Sequence, residues 1–202
     1  MAARAGYIGG MPADPETKRG VLRDEIVGRT TLHTSRAYDV EELTLRRPDG
    51  AERKKAYIRH RGAVVIVPLL EQPGRSPKVV MVRNERHTLG RAIDELPAGG
   101  IDEGEGPQEA AERELREETG YEATSIYAVG EFLTTPGLTD ERMHAFVATG
   151  LRQVGQDLED DESLSVVTRT MADVEGMIDR GELEDGKSLL ALLWADRQGL
   201  LR

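Results

Sequence analysis

Glutamates crowd one segment of this sequence, EAAERELREETG at positions 109–120. Glu114, Glu117 and Glu118 are three and four residues apart, so a helix would place them within roughly 100° of arc on one face. Glu114 and Glu118 would then repel each other as an i, i+4 pair, and the C-terminal end of the helix dipole would add to this cost. Converging carboxylates become favourable when a divalent cation lies between them, because Mg²⁺ and Mn²⁺ prefer carboxylate oxygens and water as ligands. The spacing therefore indicates a metal site.

The alternative interpretation of this segment is a solvated, charged helix face. Glu109 with Arg113, and Glu112 with Arg116, are i, i+4 pairs with the acid first, an order that stabilises a helix by about 0.2–0.5 kcal/mol per pair. These pairs favour a helix but leave the crowding of the other three glutamates unexplained. The metal site therefore remains the better interpretation.

A wider pattern surrounds these residues. Gly99 is followed after five residues by Glu105, and after seven more by the run RELREETGY at 113–121. This matches the Nudix box, GX5EX7REUXEEXGU, at every fixed position, so the chain resembles Nudix hydrolases. The resemblance implies an α/β/α sandwich with a mixed sheet. It also implies an enzyme that hydrolyses a nucleoside diphosphate linked to another moiety, with Mg²⁺ as the cofactor and Mn²⁺ as a substitute.

The resemblance also implies which residues bind the metal. Glu114 and Glu118 match the principal ligands of the family, with Glu117 as a third ligand or a close neighbour of the ligands. In related sugar-nucleotide enzymes the carbonyl of the alanine in an LPAG stretch also binds metal, and that alanine is Ala98 here. The metal site implied by the resemblance therefore combines one helix with the segment that precedes the box.

The catalytic residues implied by the resemblance lie in two places. Arg113 and Glu105 match a supporting ion pair, with Glu117 beside them. A second acidic run, DLEDDE, precedes a predicted strand, and in the resembling enzymes a glutamate of a mobile loop there closes over the substrate as catalytic base. Glu162 matches this base best and Glu159 is the alternative, while a solvated loop explains the remaining acids of the run.

Features outside the box resemble the ADP-ribose pyrophosphatase group, which also acts on other nucleoside diphosphate sugars. They are ELPAG at 95–99, Pro136-Gly137 beyond the box, and the N-terminal β segment. Arg86 and Arg61, near strand ends, would bind the substrate together with Pro136 and Gly137. Each of these residues also has a plainer interpretation, as a surface arginine or as a turn. ADP-ribose would yield AMP and ribose 5-phosphate.

Two alternatives to ADP-ribose hydrolysis stay open. The run GELEDGKS at 181–188 resembles enzymes of the same group that act on GDP-mannose, so a GDP-mannose or UDP-sugar hydrolase is one alternative. A nucleotide-sugar sensor that binds without turnover is the other. The intact box argues against the sensor, because a non-catalytic protein has no need of every metal-binding carboxylate.

Hydrophobic periodicity and turn signals predict the elements that position these residues. The segments 38–46 and 51–60 flank RPDG, and this arrangement predicts a hairpin. Two apolar runs, 63–70 and 78–82, are separated by EQPGRSP and predict core strands joined by a loop. After the glutamate-rich helix, the pattern predicts three strands at 124–134, 142–149 and 164–170, then two helices at 171–181 and 187–198.

These elements predict two parts. Residues 1–56 form an N-terminal arm with a small β-sheet segment, and residues 57–202 form the Nudix domain with an α/β fold. So short a β segment cannot bury its own apolar face, and it resembles a dimerisation domain, so we expect a homodimer.

Composition limits the partners and the location. The formal net charge of −10 disfavours nucleic acid, whose phosphates require lysine and arginine. The chain has no cysteine, so disulfides and thiolate catalysis are excluded, which fits a reducing compartment. The first twenty residues have no apolar signal segment and no apolar run is long enough to span a bilayer. We therefore expect a cytoplasmic protein without membrane or nucleic-acid partners, whose ligand is a nucleoside diphosphate sugar.

Overall fold

The computed structural model describes residues 23–158 and 164–201. Within these residues, twelve strands follow in chain order: β1 Glu25–Thr34, β2 Tyr38–Arg46, β3 Glu52–His60, β4 Ala63–Gln72, β5 Arg75–Arg86, β6 Arg91–Glu95, β7 Ala98–Gly100, β8 Tyr121–Glu122, β9 Ser125–Leu133, β10 Arg142–Thr149, β11 Arg152–Gln153 and β12 Leu164–Thr170. The same stretches contain three helices: α1 Pro107–Thr119, α2 Met171–Asp179 and α3 Gly186–Arg197. No helix in these stretches is long and apolar enough to cross a bilayer.

The N-terminal part is a three-stranded antiparallel sheet in the order β1-β2-β3. The predicted hairpin is confirmed, because β2 and β3 pair continuously from Tyr38 opposite His60 to Arg46 opposite Glu52. Gly50 makes the turn with a φ of 86°, in the left-handed region that favours glycine. The apolar side chains Ile26, Leu32 and Tyr38 of this sheet are exposed.

The central sheet is mixed, as predicted. Its strands lie in the order β12-β5-β4-β10-β9, with β6 paired to β5 and β7 paired to β4. β4 and β10 are parallel, whereas the other pairs are antiparallel. The short strands β6 and β7 were not predicted. Each of them forms a strand because it pairs with a longer neighbouring strand. Its own residue composition does not indicate a strand.

The prediction of a loop between the two core strands is wrong. β4 continues to Gln72 and β5 begins at Arg75, so the strands are joined by a tight turn rather than by seven loop residues. Gly74 permits this turn because its φ is +70°.

The sheet is covered by helices on both faces, which confirms the α/β/α sandwich. Alternate residues of β4 point to opposite faces because side chains alternate along a strand. One face packs in a cluster that includes α1: Val64, Ile66, Ala110, Ala111, Leu115, Phe146 and Ala148. The opposite face packs in a larger cluster against α2 and α3, which includes Val65, Val67, Val79, Met81, Val174, Met177, Ala191 and Leu192.

The helix α1 has the ends that its sequence predicts. Pro107 occupies the first turn and Gly106 is the N-cap, where the Glu109 carboxylate accepts a hydrogen bond from the Gly106 amide at 2.8 Å. Gly120 ends the helix with a φ of 72°. A Cβ at Gly120 would also lie 2.8 Å from the Gln156 amide, so glycine is needed there for space as well as for conformation.

The N-terminal sheet joins the central domain through the end of β3. The Ile58 amide donates to the Leu138 carbonyl at 2.9 Å, and the His60 amide donates to the Asp140 carboxylate at 2.8 Å. The segment after β9 is thereby held against β3, beside the start of β4. The boundary between the two parts at residue 57 stays a prediction, and β3 itself runs from Glu52 to His60.

Candidate active site

A cleft of about 790 Å³ opens where the N-terminal sheet, the central sheet and two helices meet. Its walls come from the turn after β1, the start of β4, the strand β7, the helix α1, the end of β9 and the first turns of α3. Predicted site residues from separate parts of the sequence lie in this wall: Arg61, Arg86, Ala98, Arg113, Glu114 and Glu117.

The strand β7 packs directly against the carboxylate of Glu114. A Cβ at Gly99 would lie 2.0 Å from Glu114 Cδ, closer than any real contact. Any other residue at position 99 would displace the Glu114 carboxylate or the strand, so glycine allows the β7 backbone to approach this carboxylate where it lies. Because Gly99 lies so close to Glu114, the backbone of the adjacent Ala98 also lies near the acidic cluster.

Arg113 is the centre of the predicted ion pair. Its guanidinium donates to both carboxylate oxygens of Glu105, at 2.9 and 3.0 Å, and to the Gly100 carbonyl at 2.8 Å. The same guanidinium donates through Nη1 to Glu114 at 2.7 Å and to Glu117 at 3.1 Å. The hydrogen bond with Glu105 raises the pKa of Arg113, and the bonds with Glu114 and Glu117 add to this effect against the opposing effect of burial. Arg113 therefore stays charged and holds the carboxylates in place.

Glu118 is more buried than Glu114, at 4% against 7% exposure. Its Oε2 accepts a hydrogen bond from the Ala98 amide at 3.0 Å. The predicted ligands Glu118 and Ala98, which are twenty residues apart in sequence, are therefore adjacent. This contact holds the end of α1 against the LPAG segment, and metal binding by Glu118 and the Ala98 carbonyl stays a prediction.

Arg113 brings the predicted ligands Glu114 and Glu117 together, but the described residues contain no preassembled cation cage. Among residues 23–158 and 164–201, no group of three acidic or histidine side chains has metal-site geometry. Glu114 and Glu117 share Nη1 of Arg113, while Glu118 accepts from the Ala98 backbone. The donor set consists of carboxylate and carbonyl oxygens, so it fits a hard divalent cation. Gly99 provides the close approach that such a site needs.

A second cluster of charged residues contributes Arg86 and Lys187 to another part of the cleft wall. Glu95, at 2% exposure, receives Arg86 Nε at 2.7 Å, Arg86 Nη2 at 2.6 Å and Lys187 Nζ at 2.6 Å. Burial raises the pKa of Glu95, but the hydrogen bond from Arg86 and the charge of Lys187 lower it by more, so its pKa lies below the usual range. The hydrogen bond with Glu95 in turn raises the pKa of Arg86. This cluster is therefore charged, with two cations on one carboxylate.

Sequence reasoning missed Glu95 and Lys187 as site residues. The signal for Glu95 was a charged residue immediately before Leu96, which is fully buried. Lys187 carried a weaker signal, a cation in the first turn of a helix, where the helix dipole disfavours positive charge.

The chain matches the sequence model of the NUDIX domain over residues 59–192. The chain belongs to the Nudix family. The match includes the box and every strand of the central sheet, so it confirms the resemblance drawn from the box.

Two relatives agree with this assignment. An ADP-ribose pyrophosphatase of Bacillus subtilis (strain 168) is 31% identical over 173 residues, which cover 85% of this chain and 91% of the relative. An ADP-ribose pyrophosphatase of Mycobacterium tuberculosis (strain ATCC 25618 / H37Rv) is 34% identical over 172 residues, which cover 84% and 81%. The prediction of a Nudix-type pyrophosphohydrolase similar to ADP-ribose pyrophosphatases is confirmed.

A solved structure supports the fold. The crystal structure of an ADP compounds hydrolase superposes with a TM-score of 0.72 at 24% identity, over 90% of this chain and 99% of that chain. The superposition spans both the N-terminal sheet and the Nudix domain, so the small sheet belongs to the shared architecture.

The remaining predicted residues of this Nudix protein are placed as follows. Arg61 lines the cleft just before β4. Pro136 and Gly137 lie in an exposed turn closed by a 2.8 Å hydrogen bond from the Leu138 amide to the Thr135 carbonyl. Thr135 lines the cleft, whereas Pro136 and Gly137 are outside its wall. Their contact with substrate stays a prediction.

The acidic run after β11 is described only in part. Glu159 and Glu162 both lie outside the described residues. The run begins beside the site, because the Asp157 amide donates to the Glu117 carbonyl at 3.1 Å, and the Gln156 side chain donates to the Glu118 carbonyl at 2.6 Å. The choice between the two glutamates stays a prediction.

Proposed function

We propose that this Nudix protein hydrolyses the diphosphate bond of ADP-ribose, or of a related nucleoside diphosphate sugar, in a metal-dependent reaction. ADP-ribose would yield AMP and ribose 5-phosphate. The observation that carries the proposal is a single cleft wall that holds both the Glu114–Glu117 pair and the Arg86–Lys187 pair. A diphosphate fits this combination, because a divalent cation held by the carboxylates would neutralise its charge and the arginine would bind its oxygens.

The residues that would hold the divalent cation are those at the junction of α1 and β7: Ala98 through its carbonyl, Glu114, Glu117 and Glu118. We propose Mg²⁺ as the cation, with Mn²⁺ as a substitute, because every donor is an oxygen. A bound divalent cation supplies Lewis-acid chemistry, which acidifies water and neutralises charge that develops on the diphosphate.

The protein's own groups bind and orient the substrate. Arg86 presents a guanidinium whose Nε and Nη2 are fixed by Glu95, which orients the rest of the group. Arg61 lies in the same cleft near the N-terminal sheet, where it would bind a second part of the substrate. Arg113 and Glu105 act behind the acidic cluster, because Arg113 orients Glu114 and Glu117 through hydrogen bonds.

We propose Glu162 as the base that takes the proton of the attacking water. The support is the position of the run that contains it, which is tied at Asp157 to the C-terminal end of α1. Glu162→Gln should lower kcat by about 10²- to 10⁴-fold with little change in KM, the usual contribution of a general base. Glu159→Gln, the matched control in the same run, should stay within a few-fold of the wild type. A large loss only in Glu159→Gln would transfer the role to that residue.

The substrate is tested by a panel measured with Mg²⁺ and with Mn²⁺. ADP-ribose, GDP-mannose, UDP-glucose, NADH and diadenosine polyphosphates are incubated with the protein, and released phosphate is read after a coupled phosphatase. The proposal expects the highest kcat/KM for ADP-ribose. A higher value for GDP-mannose or UDP-glucose would assign the alternative hydrolase activity. Tight binding without turnover of any compound would favour the sensor.

We also propose a homodimer in which the N-terminal sheet supplies part of the interface. The support is the exposure of Ile26, Leu32 and Tyr38 on a sheet of only three strands. Light scattering at micromolar concentration should give twice the 22.2 kDa mass of one chain. A monomer mass would contradict this proposal.

We also propose that the protein is located in the cytoplasm.

A further inference from the structure

Lys187 occupies a constrained position in the cleft wall. Its side chain is 15% exposed, and Nζ lies 2.6 Å from Glu95 Oε2 and 3.0 Å from Asp185 Oδ2. A lysine side chain ordinarily extends its ammonium group into water. Here two carboxylates hold the ammonium against the protein, so Lys187 belongs to the built part of the cleft.

The Glu95 carboxylate is shared between Lys187 and Arg86. Arg86 Nε donates to Oε1 of Glu95, while Arg86 Nη2 and Lys187 Nζ both donate to Oε2. Three charged donors on one buried carboxylate leave it little rotational freedom. The orientation of Glu95 therefore depends on Lys187, and the orientation of the Arg86 guanidinium depends on Glu95.

The backbone on both sides of this contact is also fixed. Ser188 Oγ accepts from the Leu96 amide at 2.7 Å, which connects the first turn of α3 to the residue after Glu95. The Ser188 amide donates to the Asp185 carboxylate at 3.0 Å and thereby caps the helix. Lys187 therefore approaches Glu95 from a rigid base.

We propose that Lys187 is a positioning residue for diphosphate binding, which acts by holding Glu95 so that Arg86 presents its guanidinium to the cleft. This inference rests on the proposed function, because it takes a diphosphate as the group that Arg86 binds. Counted with Glu95 and Asp185, the cluster formed by Arg86 and Lys187 is neutral. Without Lys187 it would carry one net negative charge, which would oppose an anionic ligand.

The chain offers a matched control for a purely structural role. Arg91 in β6 makes a two-contact ion pair with Glu184, at 2.6 and 2.8 Å, in the segment just before α3. This pair connects the same two parts of the fold as Lys187 and Glu95 do. Arg91 is absent from the cleft wall, so Arg91→Met would weaken this connection without touching the Arg86 cluster.

The test measures ADP binding by calorimetry at a fixed Mg²⁺ concentration, for Lys187→Met, Arg86→Met, the double variant and Arg91→Met. Lys187→Met should weaken ADP binding by roughly tenfold, because it removes a charged hydrogen bond that orders Glu95. In the Arg86→Met background, the same change should have almost no further effect, since nothing remains to be positioned. Lys187→Arg should restore most of the affinity, and Arg91→Met should leave it unchanged.

Several outcomes would overturn the inference. An equal tenfold loss in the Arg86→Met background would mean that Lys187 acts independently of Arg86. A similar loss in Arg91→Met would reduce the effect to general loosening of α3. Unchanged ADP binding in Lys187→Met, or no ADP binding by the wild type, would also refute it. A wild type that binds ADP but hydrolyses no ADP-ribose would instead refute the proposed function alone.

Discussion

Buried glutamates meet arginine in two regions of the molecule, with opposite balances of charge. In the N-terminal sheet, Glu41 is 2% exposed and accepts hydrogen bonds from Arg29 at 2.8 Å, Tyr57 at 2.7 Å and Arg59 at 3.2 Å. In the cleft, the single guanidinium of Arg113 donates to three different carboxylates. One region therefore surrounds one acid with donors, and the other surrounds one donor with acids.

The difference teaches where a charged cluster serves the fold and where it serves a ligand. The hydrogen bond from Tyr57, and then those from Arg29 and Arg59, lower the pKa of Glu41 against the opposing effect of burial. Glu41 is thus a completed ion-pair centre with no need of an added cation. Around Arg113, carboxylates outnumber the guanidinium that they share, so a divalent cation would improve the balance. An excess of acids around one cation therefore indicates a metal site, whereas an acid enclosed by donors, such as Glu41, has no need of a metal.

The largest expected effect is on turnover when the acidic cluster loses one charge. Glu114→Gln and Glu118→Gln should each lower kcat by about 100-fold or more, because each removes a proposed metal ligand. The fold should persist in both variants, since the change also relieves the repulsion between these two acids. The measurements are steady-state kinetics at saturating Mg²⁺ and thermal unfolding.

A readout that needs no turnover supports the same prediction. Mg²⁺ should raise the unfolding temperature of the wild type, because a ligand that binds only the folded state stabilises it. The increase should be much smaller in Glu114→Gln and Glu118→Gln. Near-normal turnover together with a wild-type response to Mg²⁺ would refute the metal assignment.

The next effect concerns the close approach of β7 to α1. Gly99→Ala would place a methyl group 2.0 Å from Glu114 Cδ, so the carboxylate or the strand must move. We expect kcat/KM to fall by roughly tenfold or more, since displacement of about 1 Å in a site costs up to about 100-fold. Gly100→Ala is the control, because a Cβ there meets nothing within 4 Å. Equal kcat/KM in the two variants would show that the approach of β7 is unimportant.

A smaller effect, on stability alone, is expected in the N-terminal sheet. Glu41→Gln leaves the charged donors Arg29 and Arg59 facing an amide, so the unfolding temperature should fall by about 3 °C. The kcat should change by less than about twofold because Glu41 lies outside the cleft wall. Glu42→Gln, on the same strand, loses a more exposed ion pair with Lys54 and should change less. A large loss of kcat in Glu41→Gln would remove the distinction between the two regions.

The smallest effect is the pH dependence of the Glu105 contribution to stability. The hydrogen bond from Arg113 lowers the pKa of Glu105 in the folded protein. A depressed folded pKa gives stability that is present above the unfolded value, about 4.3, and is lost as the pH falls through the folded value. The difference in unfolding temperature between wild type and Glu105→Gln should be constant above about pH 5 and shrink below about pH 4. A difference that grew on acidification would contradict the assignment.

Much of the fold could be predicted because its signals are local. Pro107 and Gly120 are local signals for the two ends of α1, since a missing amide hydrogen suits the first turn and a left-handed φ suits the cap. The turn ending at Gly50 likewise placed the predicted hairpin of β2 and β3 correctly. The three residues of β7 gave no comparable signal, because Ala98–Gly100 forms a strand only through its pairing with β4.

The sequence by itself determined the family and the acidic face of α1. An α-helix completes one turn every 3.6 residues, so the spacing of Glu114, Glu117 and Glu118 fixes their common side wherever the helix lies. Only the tertiary structure decided which carboxylates share one cationic side chain and which carboxylate accepts hydrogen bonds from several cationic side chains. Glu95 and Lys187 are 92 residues apart and meet because Ser188 and Leu96 hold α3 against the sheet. No local rule encodes that contact, since it depends on the packing of separate elements and on the burial that makes each charge require a partner.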